Sequence, residues 1–245
     1  MNTQDFTQFE PVPYLLEKAK ETDIPLIYLN KIPNIDPNLP TVFLLIGPSG
    51  SGKDAISDSL YKSDHIIRAT TATSRARRMD ENEPEERHIW MRVQRKDETL
   101  EEYDAHLISE YGLVEHDRHF GGLYGLPYSS LESALSRGIP LVRTEVKGVK
   151  TIVNFLKGKM NCVVVFIVAE SFSQIWDRIS TRNNIEERKE TALSEVKEAP
   201  HTSNYYLFNP ELYNGKPGLP QAQEALRQLI MLYSEHGDKK TTNSY

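Results

Sequence analysis

Val42-Phe43-Leu44-Leu45-Ile46-Gly47-Pro48-Ser49-Gly50-Ser51-Gly52-Lys53-Asp54 decides how the rest of the chain is read. The five apolar residues predict a strand buried on both faces, followed by a glycine-rich turn and a helix from about Lys53 to Tyr61. Gly47 to Lys53 fits the first seven positions of G-x-x-x-x-G-K-[ST], in the strand-to-helix setting that motif requires. Glycines there let successive backbone N–H groups converge on a phosphate, the helix N-terminus adds positive potential, and Lys53 bridges the phosphates that part.

The loop residues Gly47, Pro48, Ser49, Gly50, Ser51, Gly52, Lys53 and Asp54 are therefore assigned to ATP, with Lys53 also catalytic. Asp54 stands where a Ser or Thr hydroxyl would ligate Mg²⁺. Its carboxylate is expected to take the metal directly or through water; the competing reading is an acid that complements the helix dipole.

Apolar runs at His65 to Ala69, Pro140 to Val146, Cys162 to Val168 and Tyr205 to Phe208 read as further strands. Between the later ones lie segments of helical composition: Tyr128 to Ser136, Val149 to Lys157, Phe172 to Ala199 and Gln221 to Ser234. Strands alternating with helices predict a three-layer α/β core around a mostly parallel sheet. The alternation breaks between about Thr70 and Pro127 into charged, glycine-containing text with a short strand-like piece at His88 to Val93, read as an inserted subdomain. Residues 1–40, with six prolines and a short amphipathic stretch at Tyr14 to Lys20, read as an arm against a domain at 41–236, and 237–245 as a tail.

The 38% hydrophobic and 26% charged composition is that of a globular protein rather than a disordered or membrane one. A net charge of −6 argues against nucleic acid as a partner, since that affinity rests on excess Lys and Arg. Cys162, the single cysteine, excludes an internal disulfide and a cysteine-based zinc site, and reads as core. No basic-then-apolar leader and no run of about 18 apolar residues is visible, so a cytoplasmic location and no membrane partner are expected.

Arg75, Arg77 and Arg78 fall within four residues of an otherwise acidic chain. Arginine forks match phosphate oxygens bidentately, which makes the cluster a candidate clamp for an acceptor phosphate, against the alternative of solvated surface charge. At Thr73-Ser74-Arg75-Ala76-Arg77-Arg78-Met79-Asp80-Glu81, Val114-Glu115-His116-Asp117, Gly121-Gly122-Leu123-Tyr124-Gly125 and Arg143-Thr144-Glu145, the sequence resembles the guanylate kinase family, in the order and spacing of that family's motifs.

The resemblance spans about Thr41 to Asn209 and implies a P-loop kinase core with an inserted acceptor-binding subdomain and a helical lid at about 170–199. It implies transfer of a phosphoryl group from ATP, with Mg²⁺, to a nucleoside monophosphate, most readily GMP, by a monomer or homodimer. It implies that Arg75, Arg78 and Tyr124 hold the acceptor phosphate, with His88 close to a further phosphate contact. Glu115 would accept from the guanine N1–H and 2-amino groups, and Thr71 and Glu145 would contact the base. Arg178 and Arg182 correspond to catalytic lid arginines, expected on one helical face, and Asn209 to an ATP-base contact, though a strand-end Asn is equally a turn former.

Several positions depart from that pattern. Leu126 replaces a hydroxyl, Arg143 replaces the first acid of an acidic pair, and Ala192 replaces a third lid arginine, for which Arg188 or Lys189 could substitute from one turn earlier. Asp54, together with Glu86-Arg87-His88-Ile89, also resembles the ribose 1,5-bisphosphate phosphokinases, whose acceptor has no base and no use for Glu115. A guanylate-kinase-like binding module is the remaining alternative; Lys53 and the arginines favour an enzyme. His116-Asp117-Arg118-His119 has metal-like spacing and is read as hydrogen bonding instead.

Overall fold

The computed structural model describes residues 10–61, 65–76, 88–119, 121–180 and 184–238. Five parallel strands form the centre of the main sheet: β3 (Thr41–Ile46), β4 (Ile66–Arg68), β9 (Ile139–Arg143), β10 (Asn161–Ala169) and β11 (Tyr205–Asn209). Their spatial order is β11-β10-β3-β9-β4, so the loop-bearing strand is central.

The apolar strands are unbroken because both faces are covered. Alternation sends Val42, Leu44 and Ile46 to one side and Phe43 and Leu45 to the other, and Val164, Phe166 and Val168 part from Val163, Val165 and Ile167 in the same way. On one side lie α2 (Lys53–Leu60) and α8 (Gly218–Asp238). On the other lie α4 (Tyr128–Leu135), α5 (Val146–Leu156), α6 (Phe172–Ile179) and α7 (Ile185–Thr202). Three layers result. Cys162 is half-buried beside this core, and desolvation pushes its thiol up to about 12.

The segment before Pro40 adds to the sheet as well as lying against it. After α1 (Pro11–Leu16), strands β1 (Lys20–Glu21) and β2 (Ile27–Leu29) extend the sheet antiparallel along β11. Glu10 Oε2 accepts from Phe172 N–H at the start of α6, and Asn30 Nδ2 donates to the Pro200 and Ser203 carbonyls at the end of α7.

A second sheet, ordered β6-β5-β8-β7, is formed by β5 (Ala72–Thr73), β6 (Ile89–Trp90), β7 (Leu113–His119) and β8 (Gly122–Pro127). Helix α3 (Leu100–Tyr111), absent from the sequence-based expectation, supplies Tyr103 and Leu107 to a separate core with Ala72, Met91 and Leu123. Its start is encoded locally: Thr99 Oγ1 accepts from Glu102 N–H while the Glu102 carboxylate accepts from Thr99 N–H, a reciprocal capping box. The hairpin β12 (Leu212–Tyr213) and β13 (Lys216–Pro217) precedes α8.

Three boundaries differ from expectation. The strand expected over Pro140 to Val146 ends at Arg143, and α5 begins at Val146 rather than Val149. Phe172 to Ala199 is two helices, because Ser180 caps α6 and Asn184 takes a left-handed conformation (φ 59°) before α7. Helix α8 begins earlier than expected and continues to Asp238, so the tail read from 237 is helical in its first two residues; residues 239–245 lie outside the described ones.

Candidate active site

The C-terminal ends of the parallel strands open on a cleft of about 950 Å³, where the sheet, the second sheet and the α6–α7 helices meet. This is the crevice in which open α/β sheets hold ligands.

One end of the cleft is the loop after β3. Gly47, Gly50 and Gly52 have φ of 137°, 88° and 102°. Gly52 shows why a side chain is excluded: a Cβ there would lie 2.5 Å from Asn209 Nδ2. Asn209 is buried and donates from Nδ2 to the Ser51 carbonyl at 2.8 Å. That contact braces the loop from the end of β11. Ser51 is buried too, and its N–H closes a turn onto the Pro48 carbonyl. Lys53 curls over the loop, with Nζ donating to the Gly47 and Pro48 carbonyls.

Two arginines reach this loop from the helical layer. Arg178 Nη1 donates to the Gly50 carbonyl at 3.1 Å, and Arg188 Nη1 donates to Ser49 Oγ at 3.1 Å. Arg188 is only 6% exposed, unusual for a group that is almost never buried without partners. Lys189, by contrast, pairs with Glu186 and faces Trp176. Ala192 is fully buried in the core. Arg188, one turn before Ala192, is the residue of the two candidates that reaches the loop. The helix carrying Arg178 ends at Ile179, and Arg182 lies outside the described residues.

The other end of the cleft is lined by the second sheet and the start of α5. Thr71, Arg75, His88, Glu115, Tyr124 and Glu145 all reach it. The Arg75 guanidinium lies 5.5 Å above the Trp90 ring, and its backbone N–H is held by Thr73 Oγ1. His88 Nδ1 is 3.4 Å from Thr71 Oγ1, and its ring meets Trp90 and Tyr124 edge-on. Arg77, Arg78, Glu86 and Arg87 lie outside the described residues. Leu126 is fully buried opposite Glu115 across the β7–β8 pair, so the lost hydroxyl has become core.

Two carboxyls in the cleft are strongly perturbed. Burial pushes the Glu115 carboxyl up to about 7, with help from Glu145 and Asp117. Glu115 lies against α5, where Gly148 leaves room for it: a Cβ on Gly148 would fall 2.5 Å from Glu115 Oε1. Glu195, which the sequence did not single out, is 7% exposed on α7. Burial pushes its carboxyl up to about 7, offset in part by Lys53 and by the Val146 N–H. Arg143 and Asp54, at the ends of β9 and the loop, form an ion pair at 2.7 Å. Among the described residues no cluster of three or more His, Cys, Asp or Glu is arranged to hold a metal ion.

A sequence model described as guanylate kinase matches residues 40–216, well over half of the chain. The chain belongs to the guanylate kinase family. Similar proteins include the guanylate kinase of Mycoplasmopsis pulmonis, 26% identical over 78% of this chain and 93% of that protein. The guanylate kinase of Granulibacter bethesdensis is 30% identical over 76% of this chain and 82% of its own length. In fold, the chain is similar to a crystal structure of guanylate kinase from Anaplasma phagocytophilum, with a TM-score of 0.54 at 20% identity, covering 81% of this chain and 87% of that one. Membership in the guanylate kinase family makes the chain a phosphotransferase. No described helix is long and apolar enough to cross a membrane.

Proposed function

We propose that the protein transfers the γ-phosphoryl group of ATP to GMP, giving ADP and GDP. The observation that carries this reading is the single cleft with two chemically distinct ends: a phosphate loop faced by Arg178 and Arg188, and a second end with Glu115, Thr71 and Glu145 beside Arg75 and Tyr124. Glu115 offers paired acceptor oxygens to the N1–H and 2-amino group of guanine, which adenine does not present together. Arg75 and Tyr124 hold the acceptor phosphate, and Arg78 is assigned the same role.

An oxygen of the acceptor phosphate attacks the γ-phosphorus as the bond to the β-bridging oxygen breaks and ADP leaves. That oxygen is already ionised, so no general base is needed; positioning and charge stabilisation carry the rate. Lys53, Arg178, Arg188 and Arg182 are assigned to the charge that accumulates on the phosphoryl oxygens, where preorganised donors act most strongly. Mg²⁺ bound with ATP would neutralise β- and γ-oxygens, and Asp54, a hard oxygen donor directly after Lys53, fits as its protein contact.

The test is ADP release with ATP, Mg²⁺ and a panel of GMP, AMP, CMP, UMP and ribose 1,5-bisphosphate. GMP should turn over fastest, and Lys53→Ala should abolish release. Turnover of ribose 1,5-bisphosphate without GMP would overturn the acceptor, and no release with any acceptor would reduce the cleft to a binding module.

A further inference from the structure

Asp54 and Arg143 are both departures from the family pattern, and they touch. Arg143 Nη1 donates to Asp54 Oδ1 at 2.7 Å and lies 3.4 Å from Asp58 Oδ1, one turn further along α2. Asp58 accepts in turn from Arg68 Nη2 at 2.6 Å, and Arg68 lies 4.5 Å above the Tyr61 ring. The half-buried Tyr61 phenol donates to the Leu141 carbonyl, near the strand end that carries Arg143. Charges therefore alternate along Asp54, Arg143, Asp58 and Arg68, on the seam between α2 and the ends of β9 and β4.

The members are unequal. The Arg143 side chain is 13% exposed and set between two carboxylates, whereas the Asp54 side chain is 50% exposed and lines the nucleotide end of the cleft. A guanidinium and a divalent cation seek the same carboxylate oxygens. The ordinary Ser or Thr at this point offers a neutral oxygen, which an arginine holds less strongly than it holds a carboxylate. A strand-end acid in place of Arg143 would attract the metal instead.

We infer that Arg143 tunes the metal dependence of this enzyme: it holds the Asp54 carboxylate, and the cation that accompanies ATP binds in competition with it. The inference rests on reading the loop end of the cleft as the nucleotide site. Arg143 acts through Asp54 and is a positioning residue. The pair weakens the hold on metal in the nucleotide complex and ties metal entry to movement of one side chain at the phosphate loop.

The test uses Mn²⁺, read by the loss of its free electron-paramagnetic-resonance signal, titrated into the full chain saturated with ADP. Four proteins are compared: wild type, Arg143→Gln, Asp54→Asn and the double variant. Arg143→Gln should tighten Mn²⁺ by about tenfold, the scale of one hydrogen bond to a charged group. Asp54→Asn should weaken it, and Arg143→Gln should have no effect once Asp54 is Asn. Arg143→Lys, which keeps the charge without the fork, should fall between wild type and Arg143→Gln and serves if the Gln variant does not fold. Unchanged or weaker Mn²⁺ binding in Arg143→Gln would overturn the inference. So would a gain that persists in the double variant, since Arg143 would then act directly on the metal or the nucleotide and not through Asp54. ADP binding without metal, measured by calorimetry, separates the two readings: its absence in wild type removes the nucleotide site and this inference with it.

Discussion

Replacing Gly148 by alanine tests the acceptor end of the cleft through a residue that carries no chemistry. Gly148 is the third residue of α5 and is buried, and alanine is the better helix former by roughly 1 kcal/mol. Judged on the helix alone, the substitution should stabilise. The added Cβ would, however, fall 2.5 Å from Glu115 Oε1, 2.6 Å from Cδ and 2.9 Å from Cγ. Ordinary contact begins near 3.4 Å, so the Glu115 carboxylate must retreat by about 1 Å or the helix must shift. A hydrogen bond from guanine lengthened by that amount is lost, and bonds to a charged acceptor contribute about 1.5–3 kcal/mol each. The expected result is a rise in KM for GMP of roughly 10- to 100-fold, with KM for ATP within about twofold and a smaller change in kcat. Steady-state kinetics with each substrate varied, beside a thermal melt, gives the readout. A variant with raised Tm and unchanged KM for GMP would mean that Gly148 is an ordinary helix glycine and that Glu115 does not bind the base.

Glu115 also gives the protein a pH signature. With its carboxyl pushed up to about 7, the ionised form that accepts from guanine is lost as pH falls through that value, so GMP affinity relative to Glu115→Gln should drop toward pH 6. Dividing by the Gln variant cancels the ionisation of the GMP phosphate itself, and a ratio flat from pH 5.5 to 8.5 would refute the assignment. Between about 4.5 and 7 the folded state binds more protons at this site than the unfolded one. Ligand-free stability should therefore decline as pH rises across that window, and less so in Glu115→Gln. Arg188→Ala removes a buried guanidinium from the loop and should lower kcat by roughly 10²- to 10³-fold with little change in KM for GMP. Adding Ala192→Arg should not restore it, because position 192 is in the core.

Much of the core was legible because its signals are local. An apolar run ending in Gly-Pro gives a strand and its stop, and the Thr41–Ile46, Asn161–Ala169 and Tyr205–Asn209 strands lie where their apolar runs do. Helix α3 carries an equally local signal, Thr99 followed by Glu102, obscured by the charge of the segment around it. The placement of Arg188 was less accessible. Counting along the chain lands on Ala192, and choosing Arg188 over Lys189 requires knowing which side of α7 is buried against the loop. Glu195 was invisible for the same reason, since only burial distinguishes it from the other glutamates of that helix. Asn209 could be placed at a strand end from sequence, but not found to brace the Ser51 carbonyl.

By itself the sequence determined the phosphate loop and hence the class of chemistry. Glycine conformation, a helix N-terminus and one lysine act over eight contiguous residues and need nothing distant. It also exposed Asp54 and Arg143 as two separate oddities, 89 residues apart. Only the tertiary structure decided that they are one feature. Parallel pairing of β3 with β9 sets Arg143 beside Leu45, two residues before the loop, and so brings its guanidinium within 2.7 Å of the carboxylate that follows Lys53. Strand register is a property of the whole sheet, fixed by burial on both faces, and no stretch of sequence around either residue contains it.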